Sequence, residues 1–212
     1  MADNYLEKKY EEVFGRGAGA RTIANRPSLE TLLRRNRSYR GYDSSYVVHR
    51  RQLEAIVRVN TMVASGMNQQ RLRFRLITKG EDSAKLLPLI KLGAALPELH
   101  LPFPGTEPEA FIVVCCEGEE NAVLDIDLGI SLQSMLLKAV ELGLGGIIVR
   151  NFNKEVLRKE LELPLTPIAV LAIGKPAEKI ELVEIGADES HAYYRRDGVH
   201  FVPKVKVDDL IV

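Results

Sequence analysis

The chain has 212 residues, 46% apolar and 27% charged, an ordinary globular mixture with length for one well-buried core. Its 29 Lys and Arg balance 29 Asp and Glu. A neutral chain has no field to hold it on nucleic acid or an anionic membrane, so neither partner is expected. Disordered and fibrous classes are excluded on the same grounds.

Met1–Tyr10 is polar and lacks the apolar core of a signal peptide, and no window approaches a membrane-spanning length. A cytoplasmic location is expected. Residues 4–14 have the pattern of a short charged helix, followed by Gly15-Arg16-Gly17-Ala18-Gly19-Ala20. Those letters match a dinucleotide fingerprint, but no apolar strand precedes them, so they form a linker instead. Residues 1–27 are therefore expected to be a helical arm and linker, and 28–212 the domain.

Ser28 caps a helix whose apolar face carries Leu29, Leu32 and Leu33 and which ends in the Arg34–Arg40 cluster. Residues 49–63 give a second amphipathic helix, with Leu53, Ile56, Val57 and Val63 on one stripe. Arg71–Ile77 alternates strictly, placing Leu72, Phe74 and Leu76 on the inner face of a half-buried strand. The arginines on its outer face have no aromatic platform beside them, which argues against a nucleic-acid strand. Residues 93–108, with four prolines, form a long loop that suits either a substrate lid or a surface excursion.

Phe111–Cys116 is apolar on both faces and is expected to be a central strand. Its adjacent thiols, Cys115 and Cys116, point to opposite faces, so a disulfide between them would be strained. Residues 127–142 make the most apolar helix, stopped by Gly143. Asn153 caps a short helix to Leu161, and Pro167–Ile173 is a further strand. Asp197-Gly198 marks a tight hairpin between two short strands. This irregular alternation of helices and strands indicates an α+β fold.

Chemistry concentrates in three separated stretches. Arg37 and Arg40 flank Ser38, a good cradle for an anion, although cations also suit a helix C-terminus. Ser65–Gln70 joins a helix to a strand. Gly66 allows close backbone approach, while Asn68 and Gln70 each offer donor and acceptor, as the polar edge of a flavin requires. Lys204 and Lys206 project alike from an extended tail. The four histidines have no metal-ligand spacing, and each is expected to be structural or solvent-facing.

Taken in order, these motifs resemble the nitroreductase family of FMN-dependent oxidoreductases. Asn36–Tyr42 resembles its R-R-S-x-R-x-[FY] run, and Ala64–Phe74 its P-S-A-x-N-x-Q-P-W-x-F segment. Gly143-Leu144-Gly145-Gly146 is similar to the stop after the family's central helix, and Ile173–Pro176 to a strand ending in G-Y-P. The resemblance implies a three-layer sandwich with a mainly antiparallel sheet flanked by helices, an intertwined homodimer, and FMN at the subunit interface. It implies a ping-pong reaction in which NADH or NADPH delivers hydride to flavin N5 and a nitro compound, quinone or similar small acceptor is then reduced.

By motif position, Arg37 and Ser38 would bind the phosphate with Lys204 and Lys206, and Arg40 would approach flavin N1 and O2. Ser65, Asn68 and Gln70 would approach the ring, largely from the partner subunit. Arg150 and Asn151 belong to the segment whose backbone N–H faces N5. Asn36 stands where the family has its first Arg, Ala64 in place of Pro, and Arg71-Leu72 in place of Pro-Trp. Two alternatives remain open: an FMN-binding carrier or sensor without turnover, and an interaction protein with a vestigial pocket.

Overall fold

The computed structural model describes residues 27–93 and 99–212. The expected arm helix and linker, and residues 94–98 of the proline loop, lie outside the described residues. Helix α1 (Leu29–Arg35) begins at Ser28, whose Oγ accepts from Thr31 N at 3.2 Å. It ends on Arg34 and Arg35, cations that favour the negative end of the helix dipole. Helix α2 (Arg50–Val57) is shorter than its apolar stripe suggests, because Arg58–Thr61 tightens into a 3-10 turn.

Strands β1 (Leu72–Ile77), β2 (Ala110–Cys116), β3 (Gly145–Val149) and β4 (Thr166–Gly174) form one antiparallel sheet in the order β1-β2-β4-β3. Every residue of β2 is buried, as its continuous apolar run requires. Ile112, Val114 and Cys116 face a core shared with Leu53 and Ile56 of α2 and with α4 (Ala122–Glu141). Phe111, Val113 and Cys115 face the opposite core, with Leu86 of α3 (Glu81–Leu86) and Leu157 of α5 (Lys154–Glu160). Helices thus cover both sides of the sheet, and the expected three-layer α+β sandwich is present. A bulge leaves Ile168 unpaired between Pro167 and Ala169, so Ile168 and Ala169 both face the α4 side.

Cys115 and Cys116 are free and buried, and burial pushes the Cys115 thiol up to about 11. Helix α4 starts five residues earlier than its apolar stripe. Asn121 Oδ1 accepts from Leu124 N at 2.9 Å, and Asp125 suits the positive first turn. Gly143, at φ +74°, stops it as expected. Strands β3 and β5 and helix α3 carry too little periodicity to be seen in the sequence.

A second sheet joins β5 (Lys179–Ile185), β6 (Tyr194–Arg196) and β7 (Val199–Val205), with β7 parallel to β5 and antiparallel to β6. Asp197 and Gly198, both at positive φ, make the expected two-residue hairpin turn. Between the two sheets runs the segment after α1. Ser38 bridges to Gly146 at the start of β3, and Tyr42 bridges to Pro176 beyond β4.

Two aromatic rings hold that segment. Tyr39 lies over Gly145, where a Cβ would sit 2.5 Å from its Cδ2, and Tyr42 lies over Gly174, with a like distance of 2.5 Å to its Cδ1. The Tyr42 hydroxyl donates to Tyr39 O at 2.8 Å. Gly174→Ala should push Tyr42 off its seat and cost about 1–3 kcal/mol, the usual scale for overpacking, read from urea or guanidinium unfolding midpoints. An unchanged midpoint would mean that the ring moves freely.

Candidate functional site

Asn36, Arg37, Ser38 and Arg40 line a cavity of about 320 Å³ whose other wall is Ile180, Tyr193, His200, Val202 and Lys204 of the second sheet. Three of the four residues expected at an anion, Arg37, Ser38 and Lys204, therefore meet although 166 positions separate the outer two. Arg40 joins them and is only 8% exposed. Its Nη1 donates to Ser38 O at 3.0 Å, and its Cζ lies 5.3 Å from the Tyr193 ring centroid.

The electrostatics of this cavity set it apart. Buried side-chain polar atoms without a hydrogen-bond partner occur, among the described residues, only on Arg37, Arg40, Glu178, Arg195 and His200. Arg37, Arg40 and His200 line this cavity, and Glu178 and Arg195 adjoin it through Arg40 and His200. Glu178 Oε1 accepts from Arg40 N at 3.1 Å, while its Oε2 sits 3.2 Å from Arg195 Nη2, a charge contact outside hydrogen-bond geometry. Arg37, Arg40, Arg195 and Lys204 outnumber that single carboxylate. Leaving buried donors unmatched costs about 1–3 kcal/mol each, and more for charged groups. An anion with several oxygens would satisfy them, so the residues present fit a phosphate group.

His200 is fully buried in the same wall, with its ring 5.1 Å from Tyr193. Burial, then the neighbouring Arg40 and Arg195 charges, pulls its imidazole down to about 4. The sequence treats it as an ordinary structural histidine. The signal that could have found it is the hairpin: a two-residue turn at Asp197-Gly198 sets Arg195 opposite His200.

Ser65 and Gln70 line a different cavity, about 620 Å³, with Arg58, Asn60, Arg71, Phe74, Asp127 and Ser131 on its walls. Here Asp127, only 7% exposed on α4, organises the loop. Its Oδ2 accepts from Ser65 Oγ at 2.7 Å and its Oδ1 from Gly66 N at 2.8 Å, while Ser65 Oγ accepts from Gln70 N at 3.0 Å. These bonds hold Met67, Asn68 and Gln70 at φ of +50°, +54° and +48°, conformations that cost non-glycine residues about 1–3 kcal/mol each. Asn68 lies outside the cavity lining, and its Oδ1 accepts from Gln70 Nε2 at 3.0 Å. Asp127 drew no notice in the sequence because it sits inside an apolar helix stripe.

The other expected residues lie elsewhere. Lys206 follows the end of β7, outside the anion cavity, with its Nζ 3.7 Å from Asp209. Arg150 and Asn151 are exposed beyond β3 and line neither cavity, and Arg150 pairs with Glu120 and Asp125 at 3.3 Å. The described end of the proline loop packs near the anion cavity: Thr106 O accepts from Tyr42 N at 2.9 Å, and Arg195 lies over the Phe103 ring. Among the described residues no group of three or more His, Cys, Asp or Glu could hold a metal ion. None of their helices is long and apolar enough to cross a membrane.

Comparison with known proteins places this architecture. Residues 99–175 match the model of the Nitroreductase family. A nitroreductase family protein from Clostridium difficile 630 is 26% identical, with a TM-score of 0.54 over 69% of this chain and 83% of its own. An FMN-dependent nitroreductase from Clostridium difficile R20291 is 22% identical, with a TM-score of 0.56 over 70% and 87%. A point variant of an FMN- and NADPH-dependent nitroreductase from Sphigopyxis sp. strain HMH is 20% identical, with a TM-score of 0.61 over 71% and 89%. No curated protein matches the chain. The chain has the nitroreductase fold, and residues 99–175, which include Gly143–Gly146, match the family model.

Two outcomes test the site. Asp127→Ala removes two bonds to a charged acceptor, worth about 1.5–3 kcal/mol each, and should lower the unfolding free energy by a few kcal/mol. Unchanged stability would show that the 65–70 loop holds itself. His200 is depressed from 6.5 unfolded to about 4 folded, so its contribution is complete above 6.5 and lost as pH falls towards 4. Unfolding midpoints at pH 7 and pH 4.5 should therefore diverge less in His200→Gln than in the wild type.

Proposed function

We propose that the chain is an FMN-dependent oxidoreductase that takes hydride from NADH or NADPH and passes electrons to a small acceptor, such as a nitro compound or quinone. The observation that carries this is the set of unmatched buried nitrogens on Arg37, Arg40 and His200 around one cavity at the family's phosphate motif. Bound FMN would supply the redox chemistry, so no protein nucleophile is needed. Arg37, Ser38 and Lys204 would hold the phosphate, and Arg40, which motif position puts near flavin N1 and O2, lines the same cavity and would join them. By the family likeness, Ser65, Asn68 and Gln70, on the loop that Asp127 holds through Ser65 and Gly66, would stand near the ring, and the backbone around Arg150 and Asn151 would approach its reactive edge.

The assembly we propose is a homodimer. Within one chain the phosphate cavity and the 65–70 cavity share no lining residue, so a partner supplying the second to the first explains why both exist. Exposed apolar side chains support pairing on that side: Leu29 and Leu33 of α1, Val123 and Ile126 of α4, and Met67. Helices α1 and α4 are neighbours, joined by Asn36 Nδ2 donating to Gln133 Oε1 at 3.2 Å.

Purified protein should turn yellow with one FMN per chain and bleach under anaerobic NADH or NADPH. Protein that binds FMN without bleaching would be a carrier or sensor, and protein that stays colourless would refute flavin binding. Arg40→Ala should weaken FMN roughly ten- to hundredfold, the scale of one charge-assisted hydrogen bond or two, and riboflavin far less. Light scattering should give twice the 23.7 kDa chain mass, and Ile126→Glu should halve it and release flavin. A monomeric wild type that still binds FMN would end the dimer proposal.

A further inference from the structure

The inner wall of the anion cavity holds a residue, His200, that no nitroreductase motif in this sequence accounts for. The wall is built by the 194–205 hairpin, which sets His200 across from Arg195 and on the same strand face as Lys204, four residues further along. His200 is 2% exposed, its Nδ1 has no partner among the described residues, and the residue lines the cavity together with Arg37, Arg40 and Lys204. We propose that His200 is a further phosphate-binding residue of this cavity and takes up a proton from solvent when the phosphate enters. The inference rests on the phosphate assignment above and names a residue and a coupling that the assignment does not require.

The physical case follows from the groups that face the imidazole. From the segment after α1 come Arg37 and Arg40. From β6 and its approach come Arg195 and Tyr193, from β7 itself Lys204, and from the approach to β5 Glu178, which Arg195 partly neutralises. With the cavity free of anion, burial first, and then the Arg40 and Arg195 charges, hold His200 neutral. A phosphate dianion reverses the local sign of the field. It gives the protonated ring a charged acceptor and offsets the neighbouring guanidinium groups. No bond other than the N–H forms: one proton moves from solvent to the imidazole, and the phosphate stays a dianion.

The linkage has a definite sign. The complex holds a proton that the free protein lacks, so affinity rises as pH falls through the bound-state value. For FMN the gain ends at about pH 6, where the free phosphate itself gains a proton that the bound dianion lacks. Each unit by which binding lifts His200 corresponds to about tenfold in affinity. Riboflavin, which has no phosphate, should show none of this.

The test is an NMR titration of the side-chain nitrogens in histidine-labelled protein at pH 6, free and with FMN, riboflavin or inorganic phosphate. His200 should have neutral-ring shifts in the free protein and with riboflavin, and imidazolium shifts with FMN. His200→Gln should weaken FMN roughly tenfold at pH 6, leave riboflavin unchanged and abolish the extra proton uptake seen by calorimetry in buffers of different ionisation enthalpy. If FMN binds and colours the protein while His200 stays neutral, the proposal is overturned and flavin binding stands. If FMN fails to bind, saturating inorganic phosphate decides. Conversion of His200 to imidazolium then supports the phosphate site alone, and an unmoved His200 overturns it.

Discussion

Two tyrosine rings resting on bare backbone fix everything else in this molecule. Tyr39 needs Gly145 and Tyr42 needs Gly174 because each ring occupies the space where a Cβ would be. That seating runs the Arg37–Tyr42 segment along the edge of the main sheet and up against the second one. Arg37 and Arg40 lie on the same short segment, so their guanidinium groups are delivered to the junction of the sheets with little freedom left. The glycines of β3 and β4 thus have a purpose that begins in packing and ends in electrostatics.

The junction holds charge that the fold alone does not justify. Four cations around one carboxylate, with unmatched nitrogens in a buried wall, cost stability unless an anion arrives. Natural structures match nearly all buried polar groups, so the clustering of the exceptions among the described residues around Arg37, Arg40 and His200 marks their cavity as a place for a ligand. The loop at Ser65–Gln70 stores cost in a different form, three non-glycine residues at positive φ held by Asp127. Arg37 and Arg40 of the first departure, and the whole Ser65–Gln70 loop of the second, fall on segments that the family likeness assigns to flavin. Away from them, the sheet and its two helical layers obey ordinary patterning.

Much of the fold was legible because strong periodicity and end signals agree. The all-apolar run of β2, the alternation of β1, the Ser28 and Asn153 caps and the Asp197-Gly198 turn each have a local cause and appear where that cause puts them. β3 was hidden because Gly145-Gly146 resembles a helix stop, and β5 because its alternation is broken by charge. At the site, Arg37, Ser38 and Lys204 were legible through their chemistry and order. Glu178, Arg195 and His200 were not, since their meaning comes from a pairing between two sheets and not from neighbours in sequence. Asp127 was hidden by the apolar helix around it.

The most direct test of the account is the phosphorus resonance of FMN in the presence of the protein, followed from pH 8 to pH 5. Free FMN changes from dianion to monoanion with a midpoint near 6, by the ordinary second ionisation of a phosphate monoester. In the cavity described here the resonance should be displaced and should stay that of a dianion through pH 5. A resonance that tracks free FMN across the whole range would show that these cations never meet a phosphate, and the central claim would fail.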